Sequence, residues 1–290
     1  RKLNGDRGCY RQRIPPPMAK PVTIPNPRTL IIFSRYPEPG QTKTRLISAL
    51  GAKGAAQLHQ QMAELMIHTA RSLSLTCSLD IQVWFTGGTL GQMQTWLGSH
   101  LTYFLQQGTT LGDRLQSALA QVFGAFPNPV NAQPVNGQPV NAKNQEKTAP
   151  EHPPSVVIIG TDCPHITPAI LQQAFTCLQA PHPSCDVVLG PAADGGYYLI
   201  GLKQFIPELF CGITWSSDRV LQETLTIAQH LQLKVTQLPV LTDIDRPEDL
   251  ASLPESLFSL STAFPESGII GANHPKIGVF QTLCKILLHE

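Results

Sequence analysis

The sequence predicts an α/β protein with a single doubly wound, mostly parallel sheet, and three observations carry this prediction. Short apolar runs alternate with helical patterns along most of the 290 residues, as in parallel sheets whose strands are joined by helices. Charged motifs follow directly after several apolar runs, which is where open α/β sheets bind ligands. Hydrophobic residues form 42% of the chain and charged residues 14%, so a sizeable core is expected.

In the first half of the chain, the run TLIIFS at 29–34 predicts the first strand. Apolar residues at helical spacing predict the first helix at 52–73. We predict that strands at 79–85 and 101–105 and helices at 89–97 and 111–126 follow.

The same alternation resumes in the second half with a short apolar strand at 156–159. The next helix, at 168–178, begins with Thr167 as its cap and Pro168 at its first position. The remaining predicted elements are strands at 186–189, 197–202 and 234–239, a helix at 217–231 and a short helix at 247–253.

A five-residue repeat, PVNAQ, PVNGQ, PVNAK, interrupts this pattern at 129–143. Proline at every fifth position excludes a regular helix and a central strand. We therefore predict a disordered low-complexity loop at 127–154 without a catalytic role. It would interrupt one α/β domain at 28–253, which a basic, proline-rich arm at 1–27 precedes and a peripheral segment at 254–290 follows. The arm is either translated sequence upstream of a natural start at Met18 or a genuine disordered extension.

Composition narrows the classes of partner. The net charge of +1 offers no electrostatic basis for binding nucleic acid. No apolar run reaches the roughly 18 residues of a membrane span. The seven cysteines show no close C-x-x-C spacing, so free thiols in a cytoplasmic protein are the simplest expectation.

Asp162, in the segment Thr161-Asp162-Cys163-Pro164, is the most informative polar residue. It follows the strand at 156–159, which places a lone carboxylate at the carboxyl end of a strand. A carboxylate there is suited to hold a divalent cation on a phosphorylated ligand. The alternative is that Asp162 caps the following helix or turn.

The loop after the first strand predicts a diphosphate cradle. It contains Arg35, Gly40, Lys43 and Arg45 within eleven residues, and both guanidinium and ammonium groups bind phosphate oxygens. Neither a Walker motif nor G-x-G-x-x-G is present. The alternative is a solvated basic turn. In either case we expect Lys43 and Arg45 to be exposed and to contribute little to stability.

Three further patches extend the predicted site. Asp194-Gly195-Gly196-Tyr197 could approach a sugar or an acceptor, or could form only a hairpin turn. Asp245, after the last strand, could bind a metal directly, could support another carboxylate that binds the metal, or could cap a helix. The weakest patches contain Asp113 with Arg114, and Trp215 with Asp218.

Six motifs in order resemble a known family: RYPEPGQTKTRL, LGDRL, IGTDCP, GPAADGGYYLIGL, WSSDRVLQET and LTDIDRPEDL. Together they resemble the rSAM/selenodomain-associated transferases, bacterial glycosyltransferase-like proteins with the nucleotide-diphospho-sugar transferase (GT-A) fold. The resemblance covers roughly Thr29 to Leu250 without the repeat insertion. More distantly, the Lys43 and Asp245 motifs are similar to 2-phospho-lactate guanylyltransferases, and the Asp162 motif to molybdenum-cofactor guanylyltransferases.

The resemblance implies a Rossmann-like GT-A domain that transfers a sugar from a nucleotide sugar to a small-molecule acceptor, using Mg²⁺ or Mn²⁺. In that reading Asp162 binds the metal, and Asp194 and Asp245 are catalytic. The other assignments are phosphate or nucleotide binding by Arg35, Gly40, Lys43, Arg45, Asp113 and Arg114, and substrate binding by Gly195, Gly196, Tyr197, Trp215 and Asp218.

One departure keeps the alternatives open. GT-A glycosyltransferases carry Asp-x-Asp, whereas this chain has Thr161-Asp162-Cys163. A single aspartate is closer to nucleotidyltransferases, which would join a nucleoside triphosphate to an acceptor and release pyrophosphate. A non-catalytic nucleotide-binding protein is the third possibility, since one fold supports all three.

Overall fold

A seven-stranded mixed sheet forms the centre of the protein in the computed structural model, which describes residues 27–124, 155–180 and 185–257. The repeat insertion, nearly all of the amino-terminal arm and most of the segment at 254–290 lie outside the described residues. The strands are ordered β3-β2-β1-β4-β6-β5-β7. Their bounds are β1 Arg28–Arg35, β2 Asp80–Thr86, β3 Thr102–Leu105, β4 Ser155–Ile159, β5 Val187–Pro191, β6 Tyr197–Leu202 and β7 Val235–Gln237.

Five α-helices are described: α1 Ile47–Ser74, α2 Leu90–Leu97, α3 Leu111–Phe123, α4 Pro168–Gln179 and α5 Val220–His230. Short 3₁₀ turns occupy Thr44–Leu46, Pro207–Phe210 and Pro247–Ser252. No helix in the described ranges is long and apolar enough to cross a membrane.

Helices cover both faces of the sheet, which confirms the doubly wound prediction. One face, with Ile32 and Ile159, packs against α1, α2 and α4 through residues such as Met62, Met93 and Phe175. The other face packs against α3 and α5. All five residues of β4 are buried, as expected of a strand with both faces covered.

The sheet is mostly parallel, with one exception. β6 runs antiparallel to both β4 and β5, whereas the other neighbouring strands pair in parallel. The carboxyl ends of β1, β4, β5 and β7 therefore meet at one edge, together with the start of β6. The loops after β1, β3, β4, β5 and β7, which carry five of the six sequence motifs, leave from this carboxyl edge.

Two helix starts differ from the predictions. α1 begins at Ile47, but Gly51 has φ of +70° and interrupts its first turns. α5 begins at Val220 rather than at 217. Ser217 precedes it in a turn, where its hydroxyl donates to the Thr214 carbonyl at 2.6 Å.

Candidate functional site

Lys43 joins three loops at the carboxyl edge. Its Nζ lies 2.8 Å from Asp162 Oδ1 and 3.6 Å from Asp245 Oδ1, and it donates to the Ile244 carbonyl at 2.6 Å. The side chain is only 5% exposed. The expectation of an exposed Lys43 was therefore wrong, because the loops after β4 and β7 close over its ammonium group.

The loop after β1 holds Lys43 there by its own hydrogen bonds. The buried Thr42 hydroxyl donates to the Tyr36 carbonyl at 3.1 Å and accepts from the Glu38 amide at 3.2 Å. Lys43 itself is left-handed, with φ of +51°. Gly40 is also left-handed, and no atom lies within 4 Å of the position that a Cβ would take there. The glycine thus leaves open space beside the cations.

Asp162 does not cap the helix that follows it. The cap of α4 is Thr167, whose hydroxyl accepts from the Ile170 amide, and the Asp162 side chain stays 52% exposed. Its carbonyl accepts from the Ile244 amide at 2.8 Å, which ties the loops after β4 and β7 together. Desolvation opposes ionisation, but the positive charge of Lys43 and its hydrogen bond to the carboxylate outweigh it and lower the pKa of Asp162.

The side chain of Asp245 does not cap a helix either. It forms an ion pair with Arg45, whose side chain is 65% exposed. The cap of the 3₁₀ turn is Asp249, whose Oδ2 accepts from the amides of Asp245 and Arg246 at 2.9 and 2.7 Å. Arg45 and Lys43 thus both reach the acidic segment after β7.

Asp243 belongs to the same cluster, although it was not among the predicted site residues. Burial, and next the negative charges of Asp162 and Asp194, raise its pKa to about 7. The cluster holds Asp245 as a fourth carboxylate, so its acidic groups outnumber the two nearby cations, Lys43 and Arg45. The sequence signal that could have identified Asp243 is its position two residues before Asp245 in the segment LTDID.

His59 was missed as well, because it lies within the helical pattern of α1. It is 4% exposed. Its Nε2 lies 2.9 Å from the Arg35 carbonyl, and its Nδ1 lies 3.9 Å from Asp162 Oδ1. Burial lowers the pKa of His59, and the negative charge of Asp162 opposes this lowering only in part.

The Asp194 loop is a tight turn whose carboxylate also reaches the site. Gly195 has φ of +88°, and a Cβ there would lie 2.1 Å from the Asp218 carbonyl oxygen. The Gly196 amide donates to Asp194 Oδ1 at 2.9 Å. Asp194 is exposed and acts electrostatically on Asp243. The turn thus brings Asp194 to the carboxylate cluster.

Two aromatic residues do not line this cluster. The Tyr197 hydroxyl is buried, and its ring packs against the core on the α3 and α5 face. The hydroxyl of Tyr197, which was expected to face a ligand, is therefore turned away from solvent. Trp215 packs on the same face. Its indole lies so close to Gly112 that a Cβ there would be 2.4 Å from Nε1.

Asp113 has a local structural role. With Thr110 it forms a capping box at the start of α3, and its Oδ2 also accepts from the amide and hydroxyl of Thr109. These bonds, led by the Thr110 amide, lower the pKa of Asp113 to about 2. Asp113, which was expected to bind nucleotide, is thus already hydrogen-bonded as part of a helix cap. Arg114 donates from Nε to the Gly108 carbonyl at 3.2 Å.

The chemistry of this cluster suits a hard cation. Carboxylate oxygens are preferred ligands of Mg²⁺, which usually binds one or two carboxylates together with substrate phosphates. Within the described ranges, no group of three or more His, Cys, Asp or Glu residues could hold a metal ion. Asp162 would therefore need ligand oxygens, such as those of a diphosphate, to complete a cation site.

The family model that matches residues 69–217 is described as "Uncharacterized protein conserved in bacteria (DUF2064)". The chain belongs to this family. The matched residues of this DUF2064 chain include Asp162 and Asp194, while Lys43, Arg45 and Asp245 lie outside them. No curated protein matches the chain with significant similarity.

Among solved structures, a provisionally assigned nucleotide-diphospho-sugar transferase from Desulfovibrio desulfuricans G20 is similar to this chain. The identity is 26%, the TM-score is 0.65, and the match covers 90% of this chain and 98% of that one. The fold of the DUF2064 chain is thus that of the nucleotide-diphospho-sugar transferases, as predicted.

Other solved structures are less similar. Glucosyl-3-phosphoglycerate synthase from Mycobacterium tuberculosis, in complex with Mn²⁺, UDP and product, has 12% identity and a TM-score of 0.43, covering 84% of this chain and 82% of that one. A cytidylyltransferase from Leptospira borgpetersenii serovar Hardjo-bovis has 13% identity and a TM-score of 0.45, covering 90% and 95%. At these scores the likeness carries no argument about activity.

Proposed function

We propose that this protein is a metal-dependent transferase that uses a nucleotide-diphosphate-linked sugar as donor. The observation that carries the proposal is the convergence of Lys43, Asp162 and Asp245. Lys43 and Asp245 are separated by 202 positions in the sequence, yet they meet beside Asp162 at the edge where α/β sheets bind ligands. The likeness to the D. desulfuricans protein and the motifs shared with the rSAM/selenodomain-associated transferases support the same class.

The cations of the first loop would bind the diphosphate. Arg45 is exposed and can turn its guanidinium toward a phosphate, and Arg35 presents an exposed side chain at the end of β1. Lys43 would move from Asp162 toward the phosphates when the ligand enters. Asp245 would act as a positioning residue, because its ion pair orients Arg45. Gly40 would allow close approach of the ligand.

Asp162 would hold Mg²⁺ or Mn²⁺ together with diphosphate oxygens. A bound cation of this kind neutralises charge on the departing diphosphate. The bond between the sugar carbon and the diphosphate oxygen breaks, and a bond from that carbon to an acceptor hydroxyl forms. Asp194 is exposed beside the cluster and would take the acceptor proton. Gly195, Gly196 and Asp218 would contact the acceptor.

Nucleotidyl transfer is the second candidate, and one observation favours it. The segment Thr161-Asp162-Cys163 has a single carboxylate, and Cys163 is buried against the core. The same cations would then bind a nucleoside triphosphate, and pyrophosphate would leave. A non-catalytic nucleotide-binding protein would use the same cluster for binding alone.

A two-stage experiment tests these proposals. Melting temperatures are measured with nucleoside di- and triphosphates and nucleotide sugars, each with and without Mn²⁺, because a ligand of the native state raises the melting temperature. Products are then assayed for the best ligands. Nucleoside diphosphate released from a nucleotide sugar supports glycosyl transfer, and pyrophosphate released from a triphosphate supports the second candidate. Binding without turnover favours the third, and absence of metal-dependent nucleotide binding contradicts all three.

A further inference from the structure

His59 places a buried polar atom without a partner beside the central carboxylate. Its Nδ1 is buried and forms no hydrogen bond with any described residue. Asp162 Oδ1 lies 3.9 Å from it. Buried polar atoms are nearly always hydrogen-bonded, so an exception calls for a reason.

The other ring nitrogen sets the tautomer. Nε2 lies 2.9 Å from the Arg35 carbonyl oxygen, and a carbonyl oxygen only accepts. Nε2 therefore carries the hydrogen, and the neutral ring has a bare Nδ1. The ring also packs against Trp96, at 6.5 Å between centroids, and the Trp96 indole donates to Glu64 at 3.1 Å. These contacts keep Nδ1 on the side of Asp162.

A bare Nδ1 and a carboxylate oxygen are both acceptors, so they cannot satisfy each other. A hydrogen-bond donor bound at Asp162 would satisfy both. The Lys43 ammonium already donates to Asp162 and to the Ile244 carbonyl. A phosphate oxygen would bring a third acceptor and no hydrogen.

We propose that His59 is a positioning residue of the cation site, with Nδ1 accepting a hydrogen bond from a water molecule carried by the divalent cation that Asp162 binds. This inference rests on the proposed function, because it requires a cation at Asp162. Mg²⁺ usually keeps several of its waters in protein sites, and a water bound to a cation is a strong donor. A histidine fixed through a backbone carbonyl holds such a water in one direction.

Two substitutions separate the two ring nitrogens. His59→Gln can keep the donor to the Arg35 carbonyl and removes the acceptor at Nδ1. His59→Asn can keep an acceptor near Nδ1 and loses the bond to Arg35. Mn²⁺ affinity in the presence of a saturating nucleoside diphosphate is measured for both variants and for the wild type by titration with electron paramagnetic resonance, because Asp162 needs diphosphate oxygens to complete a cation site. Melting temperature is measured in the same samples.

We expect one variant to lose Mn²⁺ affinity and the other to lose stability. His59→Gln should lose about tenfold or more in Mn²⁺ affinity, because residues that orient a metal's ligands are typically worth 10–100-fold, while its melting temperature changes little. His59→Asn should keep Mn²⁺ affinity within about threefold and melt at a lower temperature, since a neutral hydrogen bond is lost. Unchanged affinity in His59→Gln, or equal losses in both variants, overturns the inference.

A separate measurement keeps the inference distinct from the proposed function. The ¹⁵N shifts of the His59 ring in the metal-free wild type report which nitrogen is protonated. A bare Nδ1 and a protonated Nε2 are expected near neutral pH, and a hydrogen on Nδ1 overturns the inference. A wild type that binds no Mn²⁺ overturns the proposed metal dependence together with it, whereas normal wild-type binding that survives in His59→Gln overturns the role of His59 alone.

Discussion

Two charged motifs of similar appearance in the sequence behave differently in the fold. Lys43 and Arg45 contact Ile244 and Asp245, about 200 residues away. Asp113, in the motif LGDRL, is satisfied by Thr110 and Thr109, three and four residues away. The carboxylate of Asp113 is hydrogen-bonded by residues at the start of its own helix, so it has no need of a ligand. The carboxylates and cations of the distant loops lie close together, and a bound cation or anion could offset the repulsion between like charges.

We expect Asp162→Ala to have the largest effect on ligand binding, and it tests the comparison most directly. Mn²⁺-dependent nucleotide binding should fall by about 100-fold or more, since even residues that only support a metal ligand are worth 10–100-fold. The fold should persist, because Lys43 retains the Ile244 carbonyl. Calorimetric titration with and without Mn²⁺ measures the change, with Asp113→Ala as the matched control. Unchanged Mn²⁺-dependent affinity in a folded Asp162→Ala variant would remove the metal assignment.

Lys43→Ala and Arg45→Ala should have equal effects on binding and unequal effects on stability. Each should weaken nucleoside diphosphate binding about tenfold or more, because charge-assisted hydrogen bonds contribute roughly 1.5–3 kcal/mol. Lys43→Ala should also cost about 1–2 kcal/mol of unfolding free energy, between the values for exposed and buried ion pairs. Arg45→Ala, at a 65% exposed side chain, should cost less than about 0.5 kcal/mol.

Two further measurements test the roles of Lys43 and Arg45 more sharply. Without nucleotide, Lys43→Ala should bind Mn²⁺ more tightly than the wild type, because the ammonium no longer competes for Asp162. Arg45→Lys should not restore full diphosphate binding if the contact is bidentate. Kept diphosphate affinity with lost stability in both alanine variants would mean that these cations are only structural.

The two regions should respond to pH with opposite signs, measured with a chelator present. The folded-state pKa of Asp243 is raised to about 7, so the folded protein holds a proton that the unfolded chain has released. Its stabilising contribution is therefore lost as pH rises from about 4 to about 7. Relative to Asp243→Asn, the melting temperature of the wild type should fall by a few degrees over this window. A constant difference would contradict the crowded carboxylate cluster.

Asp113 should show the reverse dependence. Its folded-state pKa is lowered to about 2, so its contribution is present above the usual carboxyl pKa and is lost as pH falls below about 4. Asp113→Ala should lower the melting temperature slightly at neutral pH and leave nucleotide affinity unchanged. Denaturation curves and titrations of the same sample separate the two. A clear loss of affinity would return Asp113 to the binding site.

The smallest effect is expected from the repeat insertion, which lies outside the described residues. Its proline and asparagine content offers little apolar surface to offset an ordering entropy of about 1–2 kcal/mol per residue. Replacing residues 129–143 with a short Gly/Ser linker should leave the melting temperature and ligand binding nearly unchanged. A large loss of either would show that the repeat packs on the domain or gates the site.

Most of the fold could be predicted because its signals are local. Four of the five buried residues of β4 are β-branched, and Thr167-Pro168 marks the start of α4 as predicted. The Asp-Gly-Gly hairpin turn indicated that β5 and β6 pair in antiparallel directions. The sequence did not predict that β6 inserts between β4 and β5, because strand order depends on contacts between distant parts of the chain.

By itself, the sequence determined the sheet class, the edge where the motifs gather, and Asp162, Lys43 and Asp245 as the residues to examine. Only the tertiary structure decided which charges meet: it buried Lys43 against Asp162 and added Asp243 and His59 to the cluster. It also buried the hydroxyl of Tyr197 and tied Asp113 into a helix cap. The physical reason is the sequence separation over which the interactions act. Propensity, caps and turns are set by residues a few positions apart, whereas burial and the pKa of Asp243 depend on loops that the chain brings together only after the sheet has formed.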